Sequence, residues 1–345
     1  MARNRASMLA VAEGGDDSGD DGGSPTTMSH VVVGLMTCRR FHRTRCRAQG
    51  ETWVRRARRV VFFTDDSDGG APAELRAPVV AHAFQPSASE RVFAGGNWRA
   101  VPILRALAEG FFTPQAQLVM GARGEPCPRW IYFADDDAYA FTPALLAALN
   151  ARNADEPHYL GYAFIAAPHL EGVVPGKRQP LFANGGAGIA VSRGALIAAL
   201  PLLRACEAQY TWNWPGDVRV AQCLLDAGVA VEWVKTFHAE APGVIIHKQK
   251  PPPGSVPVGL HLPPISFHHV SPDELHALEV RWLRSIEPNE PPAIPQPALS
   301  APQPKRASAQ ARLSPPQPAP ACPSPLQPAQ IDHQSAIPVH GLSRR

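Results

Sequence analysis

Residues 130–140 read WIYFADDDAYA, an apolar run that breaks off into three consecutive aspartates. Trp130, Ile131, Tyr132, Phe133 and Ala134 have the length and aromatic content of a buried strand. Asp135, Asp136 and Asp137 then fall at its carboxyl end, the edge at which open α/β sheets bind ligands. Three adjacent carboxylates repel one another unless a cation neutralises them. Hard oxygen donors suit Mg²⁺ or Mn²⁺, which keep one or two protein carboxylates and take the rest of their shell from substrate phosphates. A solvated acidic turn accounts for the triplet alone equally well; the aromatic strand in front of it favours a site.

On either side of this strand, apolar runs alternate with amphipathic stretches. Residues 31–37 (VVVGLMT) read as a first buried strand, followed by a polar stretch, 39–58, whose inner face is Cys46, Trp53 and Val54. Residues 59–63 (RVVFF) form a second strand that runs into Thr64, Asp65 and Asp66, and residues 78–84 a third. Asn97 caps a helix to about Phe112, with Val101, Leu104 and Leu107 at helical spacing. Beyond the aspartates, Thr142 caps a helix that carries Pro143 in its first turn, and residues 158–164 form a strand. FANGGAGIAVS, residues 182–192, places Gly185, Gly186 and Gly188 ahead of a strand from Ile189. Such glycines either admit a ligand close to the backbone or make a tight turn, and the phosphate-loop lysine is missing. A helix over 193–209 follows, then one from near Gly216 with Asp217 at its start, where a carboxylate often caps. Residues 229–234 and 265–270 (ISFHHV) are strands, the second putting His268 and His269 on opposite faces. SPDE from Ser271 opens the last helix as a capping box. The alternation predicts an α/β fold with a doubly wound, mostly parallel sheet.

Composition sets the boundaries. Of the 38 prolines, 15 lie between Pro288 and Pro338, mixed with Ala, Gln and Ser, a blend that buries little. Residues 287–345 are expected to be a disordered Pro-rich tail and residues 1–29 a disordered acidic, Gly-rich start, which leaves a single domain over 30–286. A net charge of +3 with no long basic run gives no argument for nucleic acid. Arg55, Arg56, Arg58 and Arg59 form the densest cluster, read as the end of a solvated helix or as a phosphate site. No stretch has the length of a transmembrane helix or the apolar core of a signal peptide. None of the six cysteines has the paired spacing of a zinc site.

Taken in order, these segments resemble the fringe-like family of inverting β-1,3-glycosyltransferases, which includes fringe and core 1 β-1,3-galactosyltransferase. The resemblance runs over about residues 31–278. It comprises Thr52 and Trp53, FFTDD (62–66), Trp98 and Arg99, the strand with DDD and Tyr139, YLG (159–161) and FANGGAG with SR (182–193). Pro215 to Asp217, TFH (236–238) and SFHHV (266–270) complete it. It implies a GT-A fold binding a UDP-sugar and Mn²⁺ (or Mg²⁺), with transfer to a glycan or glycoprotein acceptor. By that analogy Asp137 and His268 ligate the metal, and Asp135 and Asp136 orient ribose and sugar. Asp65 lies by the uridine, Arg99, Gly185 and Gly186 belong to the donor site, and Asp217 is the general base. With only two protein ligands, metal and UDP are expected to bind as one coupled site. A pair of cysteines around this segment in core 1 enzymes implies a Cys206–Cys223 disulfide; two buried thiols are the alternative. The family implies a Golgi or secretory-pathway location and an N-terminal membrane anchor, which this sequence lacks.

The chain departs from the family pattern at Gly216, where an acid usually precedes the base, and at Val220 and Ala221, where a glycine is usual. The missing acid touches acceptor recognition more than catalysis. An inactive carbohydrate-binding relative is the alternative, and retention of Asp137, Asp217 and His268 weighs against it. A two-metal phosphohydrolase would need a second, distant ligand set, which the sequence does not offer.

Overall fold

The computed structural model describes residues 24–64, 79–81, 99–165, 181–209, 215–242 and 263–286. Both proposed tails lie outside these residues, apart from the segment just before the first strand. There the fold starts earlier than composition suggests: Met28 is buried, Thr26 donates its backbone N–H to Asn150, and Arg129 donates to the Ser24 carbonyl. Gly- and Asp-rich sequence hid this docking because it rests on long-range hydrogen bonds more than on apolar area.

The strands are β1 (Val31–Met36), β2 (Arg59–Thr64), β3 (Val79–Ala81), β4 (Trp130–Asp135), β5 (Tyr139–Ala140) and β6 (Tyr159–Gly161). They continue as β7 (Ala163–Ile165), β8 (Leu181–Ala183), β9 (Ile189–Ser192), β10 (Val231–Trp233), β11 (Phe237–His238) and β12 (Ser266–Phe267). The helices are α1 (Arg47–Glu51), α2 (Ala100–Phe111), α3 (Pro114–Ala122), α4 (Thr142–Asn150), α5 (Arg193–Ala199), α6 (Leu203–Gln209), α7 (Gly216–Asp226) and α8 (Pro272–Ile286). A seven-stranded sheet runs β10-β6-β9-β4-β1-β2-β3, parallel except that β9 is antiparallel to both β4 and β6. A smaller sheet, β11-β12-β5, lies beyond the carboxyl end of β4. This is the doubly wound α/β arrangement expected of a GT-A fold.

Side-chain alternation builds a core on each face. Val32, Val61, Phe63, Ile131 and Phe133 pack on one side with Val101, Leu104 and Leu107 of α2 and Val220 and Leu224 of α7. Val31, Val33, Leu35, Phe62, Trp130 and Tyr132 pack on the other with Trp53, Leu145 and Leu149 of α4 and Leu275 of α8. Burial on both faces is why the central strands read as continuous apolar runs. A Cβ at Gly34 would come within 2.7 Å of Leu107, so glycine sets how closely α2 lies on β1.

Several elements differ locally from their sequence reading. Thr142 is the first helical residue of α4, and Phe141 holds the cap position without a side-chain cap hydrogen bond. Helix α2 begins at Ala100 with Arg99 before it, and Asn97 lies outside the described residues. The single helix expected over 193–209 is two, because Pro201 interrupts it. The strand expected over 158–164 divides after Gly161, its second half pairing with β8 in a separate hairpin. Thr113 accepts from the Ala116 N–H and, with Pro114, opens α3, a helix the periodicity did not disclose. The arginine cluster divides: Arg55 and Arg58 are exposed, Arg55 and Arg56 pair with Glu279, and Arg59 is buried against Glu125 and two carbonyls. Ser271 and Glu274 do form the reciprocal capping box. Cys206 and Cys223 are joined, with 5.7 Å between their Cα atoms, and the bridge ties α6 to α7. No helix among the described residues is long and apolar enough to cross a membrane.

Candidate functional site

At the end of β4 the chain turns under tight control. The Asp136 N–H donates to the Met36 carbonyl at 3.1 Å, carrying the β1 pairing one residue past the strand. Gln49 Nε2 bridges the carbonyls of Asp136 and Ala138 at 2.9 and 2.6 Å, and Trp53 Nε1 reaches the Ala138 carbonyl. The stretch after β1 thus fixes the aspartate turn from below, which its sequence gave no means of seeing.

The three carboxylates diverge. Asp136 is buried and accepts from Thr37 Oγ1 at 2.6 Å and from Arg45 Nη1 at 2.9 Å, so both its oxygens are held by protein donors. Asp137 lies 3.2 Å from Arg45 Nη1 through one oxygen and 3.2 Å from His268 Nε2 through the other. Asp135 is 3.8 Å from His268 Nε2 and keeps 31% of its side chain exposed. The repulsion expected to need an external cation is therefore relieved in part by Arg45, a residue the sequence reading passed over.

Electrostatics separate the three further. Burial, followed by the charges of Asp137, Asp136 and Asp217, pushes Asp135 up to about 7, with His268 opposing. Burial also raises Asp136, against its bonds to Thr37 and Arg45. Burial would raise Asp137 too, but the hydrogen bond and charge of His268 and the charge of Arg45 outweigh it, and Asp137 lies below the usual carboxylate range. Asp135 accordingly costs stability where it is ionised. Its unfolded value is about 3.9, so the folded protein loses stability as pH rises from about 4 to about 7, and the loss is complete above that. Asp135→Asn is expected to raise the melting temperature in metal-free buffer at pH 8 and leave it unchanged near pH 4; thermal unfolding at the two pH values checks this.

Adjacent glycines link the remaining groups. A Cβ on Gly186 would fall 2.1–2.5 Å from the ring atoms of His268, so the imidazole lies directly on the glycine backbone. The Gly185 N–H donates to Asp217 Oδ2 at 3.3 Å, and a Cβ there would touch the Asp217 Cβ at 3.4 Å. One two-residue step thus contacts both the candidate metal ligand and the candidate base. Gly186→Ala must displace the His268 ring, which has little free space at 12% exposure. Nucleotide binding in the presence of Mn²⁺ is expected to weaken about 10- to 100-fold, while circular dichroism stays unchanged; titration calorimetry reads the effect.

Asp217 is the second residue of α7, with Pro215 at the cap position, and its Oδ1 accepts from the Val218 N–H at 2.9 Å. Burial raises its pKa in spite of the backbone hydrogen bonds and His268. His269 does not lie on the opposite face from His268. Strand β12 ends at Phe267, His269 adopts φ 55°, and the two rings stack with centroids 3.6 Å apart. Asp137, His268 and His269 bring one donor atom each within 4.8 Å of one another. Two imidazoles and a carboxylate fit a divalent ion, and the Gly186 surface leaves His268 the room to present its Nε2. Arg99 is buried and donates to the carbonyls of Thr37 and Phe63, so it braces the carboxyl ends of β1 and β2. Asp65 lies outside the described residues.

The carboxylates and imidazoles gather at the carboxyl edge of a doubly wound sheet, the place at which open α/β folds bind their ligands. The sequence model of the fringe-like family matches residues 26–278, and the chain belongs to that family. It is 30% identical over 186 residues to human manic fringe, a β-1,3-N-acetylglucosaminyltransferase, covering 52% of each chain. Zebrafish (Danio rerio) lunatic fringe, of the same named activity, is 26% identical over 50% of this chain and 42% of its own. A mouse β-1,3-glucosyltransferase is 22% identical over 78% of this chain and 46% of its own. The chain spans about half the length of the curated relatives it matches. Among solved structures, the galactosyltransferase LgtC with donor and acceptor sugar analogues aligns at TM-score 0.37 and 9% identity, over 74% of this chain and 94% of that one.

Proposed function

We propose that the chain is an inverting, UDP-sugar-dependent β-1,3-glycosyltransferase acting on a glycan or glycoprotein acceptor. The observation that carries this reading is the Gly185–Gly186 step, which holds Asp217 on one residue and His268, with Asp137 beside it, on the next. Asp137 and His268 would hold Mn²⁺ or Mg²⁺, which when bound supplies Lewis-acid stabilisation of the charge developing on the UDP leaving group. Asp217 takes the proton of the acceptor hydroxyl as that oxygen attacks the anomeric carbon and the bond to UDP breaks on the opposite face. One displacement turns an α-linked donor into a β-linked product, and burial raises the Asp217 pKa, which favours its taking the proton. Asp136, held by Thr37 and Arg45, positions the turn, and Asp135, part of whose side chain is exposed, would orient the donor. The disulfide fits an oxidising, secretory compartment.

The donor is UDP-galactose, UDP-N-acetylglucosamine or UDP-glucose. Incubating the protein with each in Mn²⁺ and a panel of simple sugar acceptors, and measuring UDP release, identifies it: one donor is expected to give acceptor-stimulated release. Retained UDP and glycan binding with no release from any donor would instead mark an inactive carbohydrate-binding relative.

A further inference from the structure

We infer that His269 is a third protein ligand of the metal site, and that it gives the site affinity for a late first-row divalent ion before any nucleotide arrives. The inference rests on the proposed metal role of Asp137 and His268. Its observations are separate from that role. His269 is the one non-glycine residue with positive φ among the described residues, and at 55° it sits in the left-handed region that L side chains seldom occupy. The conformation is fixed from both sides: the His268 N–H donates to the His238 carbonyl at 3.1 Å and the Val270 N–H to the Asp137 carbonyl at 2.9 Å. Backbone held in a rarely populated region by its surroundings is a mark of functional sites.

The consequence is geometric. In a continued strand the ring would point away from His268; here the rings stack at 3.6 Å with 25° between their planes. His269 Nδ1 lies 3.8 Å from Asp137 Oδ2, and His268 Nε2 lies 3.2 Å from Asp137 Oδ1. Two donors each about 2.1 Å from one ion are about 3–3.5 Å apart; the three donor atoms lie within 4.8 Å of one another, so completing the set takes an inward swing of the His269 side chain out of its stack on His268. That side chain is 61% exposed and free to make it. Arg45 Nη1, 3.2 Å from the same Asp137 oxygen, can stay on Asp136 when an ion takes its place. Two nitrogens and one oxygen favour Co²⁺, Ni²⁺ or Zn²⁺ over Mg²⁺, which prefers oxygen donors throughout. A carboxylate and one imidazole would depend on the diphosphate to complete the shell; a second imidazole relaxes that coupling.

The test is calorimetric titration of the full chain with CoCl₂ alone, supported by the visible spectrum of bound Co²⁺. His269→Gly removes the ring and suits the left-handed backbone, so loss of binding cannot be ascribed to misfolding. Wild type is expected to bind Co²⁺ without UDP, His269→Gly to bind it about tenfold or more weakly with an altered spectrum, and added UDP to restore most of the affinity. Equal affinity and an unchanged spectrum in His269→Gly would overturn the inference and leave the Asp137–His268 site standing. Wild type that binds neither Co²⁺ nor Mn²⁺, with or without UDP, would overturn both.

Discussion

Asp217→Asn is expected to lower kcat by about 10²-fold or more, the usual scale of general-base catalysis, while UDP affinity stays at the wild-type value. The substitution removes the proton acceptor and little else. Asn keeps one side-chain oxygen for either the Gly185 or the Val218 N–H, so the cost in stability is about 1 kcal/mol. The start of a helix ordinarily favours a charged carboxylate and makes it a poorer base. In this fold burial outweighs that effect and raises the Asp217 pKa. A carboxyl that only capped α7 would gain nothing from such an environment. Steady-state kinetics with the identified donor decides it: a near wild-type rate in Asp217→Asn would make the residue structural and send the search for the base elsewhere.

Asp137→Ala is expected to abolish the metal-dependent part of UDP binding, a loss of about 10²-fold or more, without unfolding the protein. Asp137 joins His268, His269 and Arg45 at one point, so its removal leaves both imidazoles without their carboxylate. The turn itself survives, because Gln49 and Trp53 hold its carbonyls and Arg45 and Thr37 hold Asp136. Calorimetry of UDP with and without Mn²⁺ separates the two contributions. Unchanged UDP affinity in both conditions would remove Asp137 from the metal site.

Much of the sheet was readable because its central strands are buried on both faces, which turns β1, β2 and β4 into apolar runs that nothing else explains. Short strands were harder. β12 keeps only two residues, and the left-handed His269 after it undoes the alternation on which its side chains were assigned. Residues of the aspartate, glycine and histidine motifs come together at one edge. Arg45 was invisible for another reason: it is one of many arginines in a polar stretch, and its partner Asp136 is 91 positions away. Arg99, which the resemblance assigns to the donor site, is buried and donates to the carbonyls of Thr37 and Phe63, contacts that its place before a helix did not disclose. Spacing reports periodic contacts; a single long-range ion pair leaves no period.

The most direct measurement of the central claim is the anomeric configuration of the transferred sugar, read by proton NMR of the purified product. A single displacement with Asp217 as base predicts a β-linked product from the α-linked donor, with no α-linked transfer product at any time. An α-linked product, or free sugar released with no transfer to acceptor, would contradict the account.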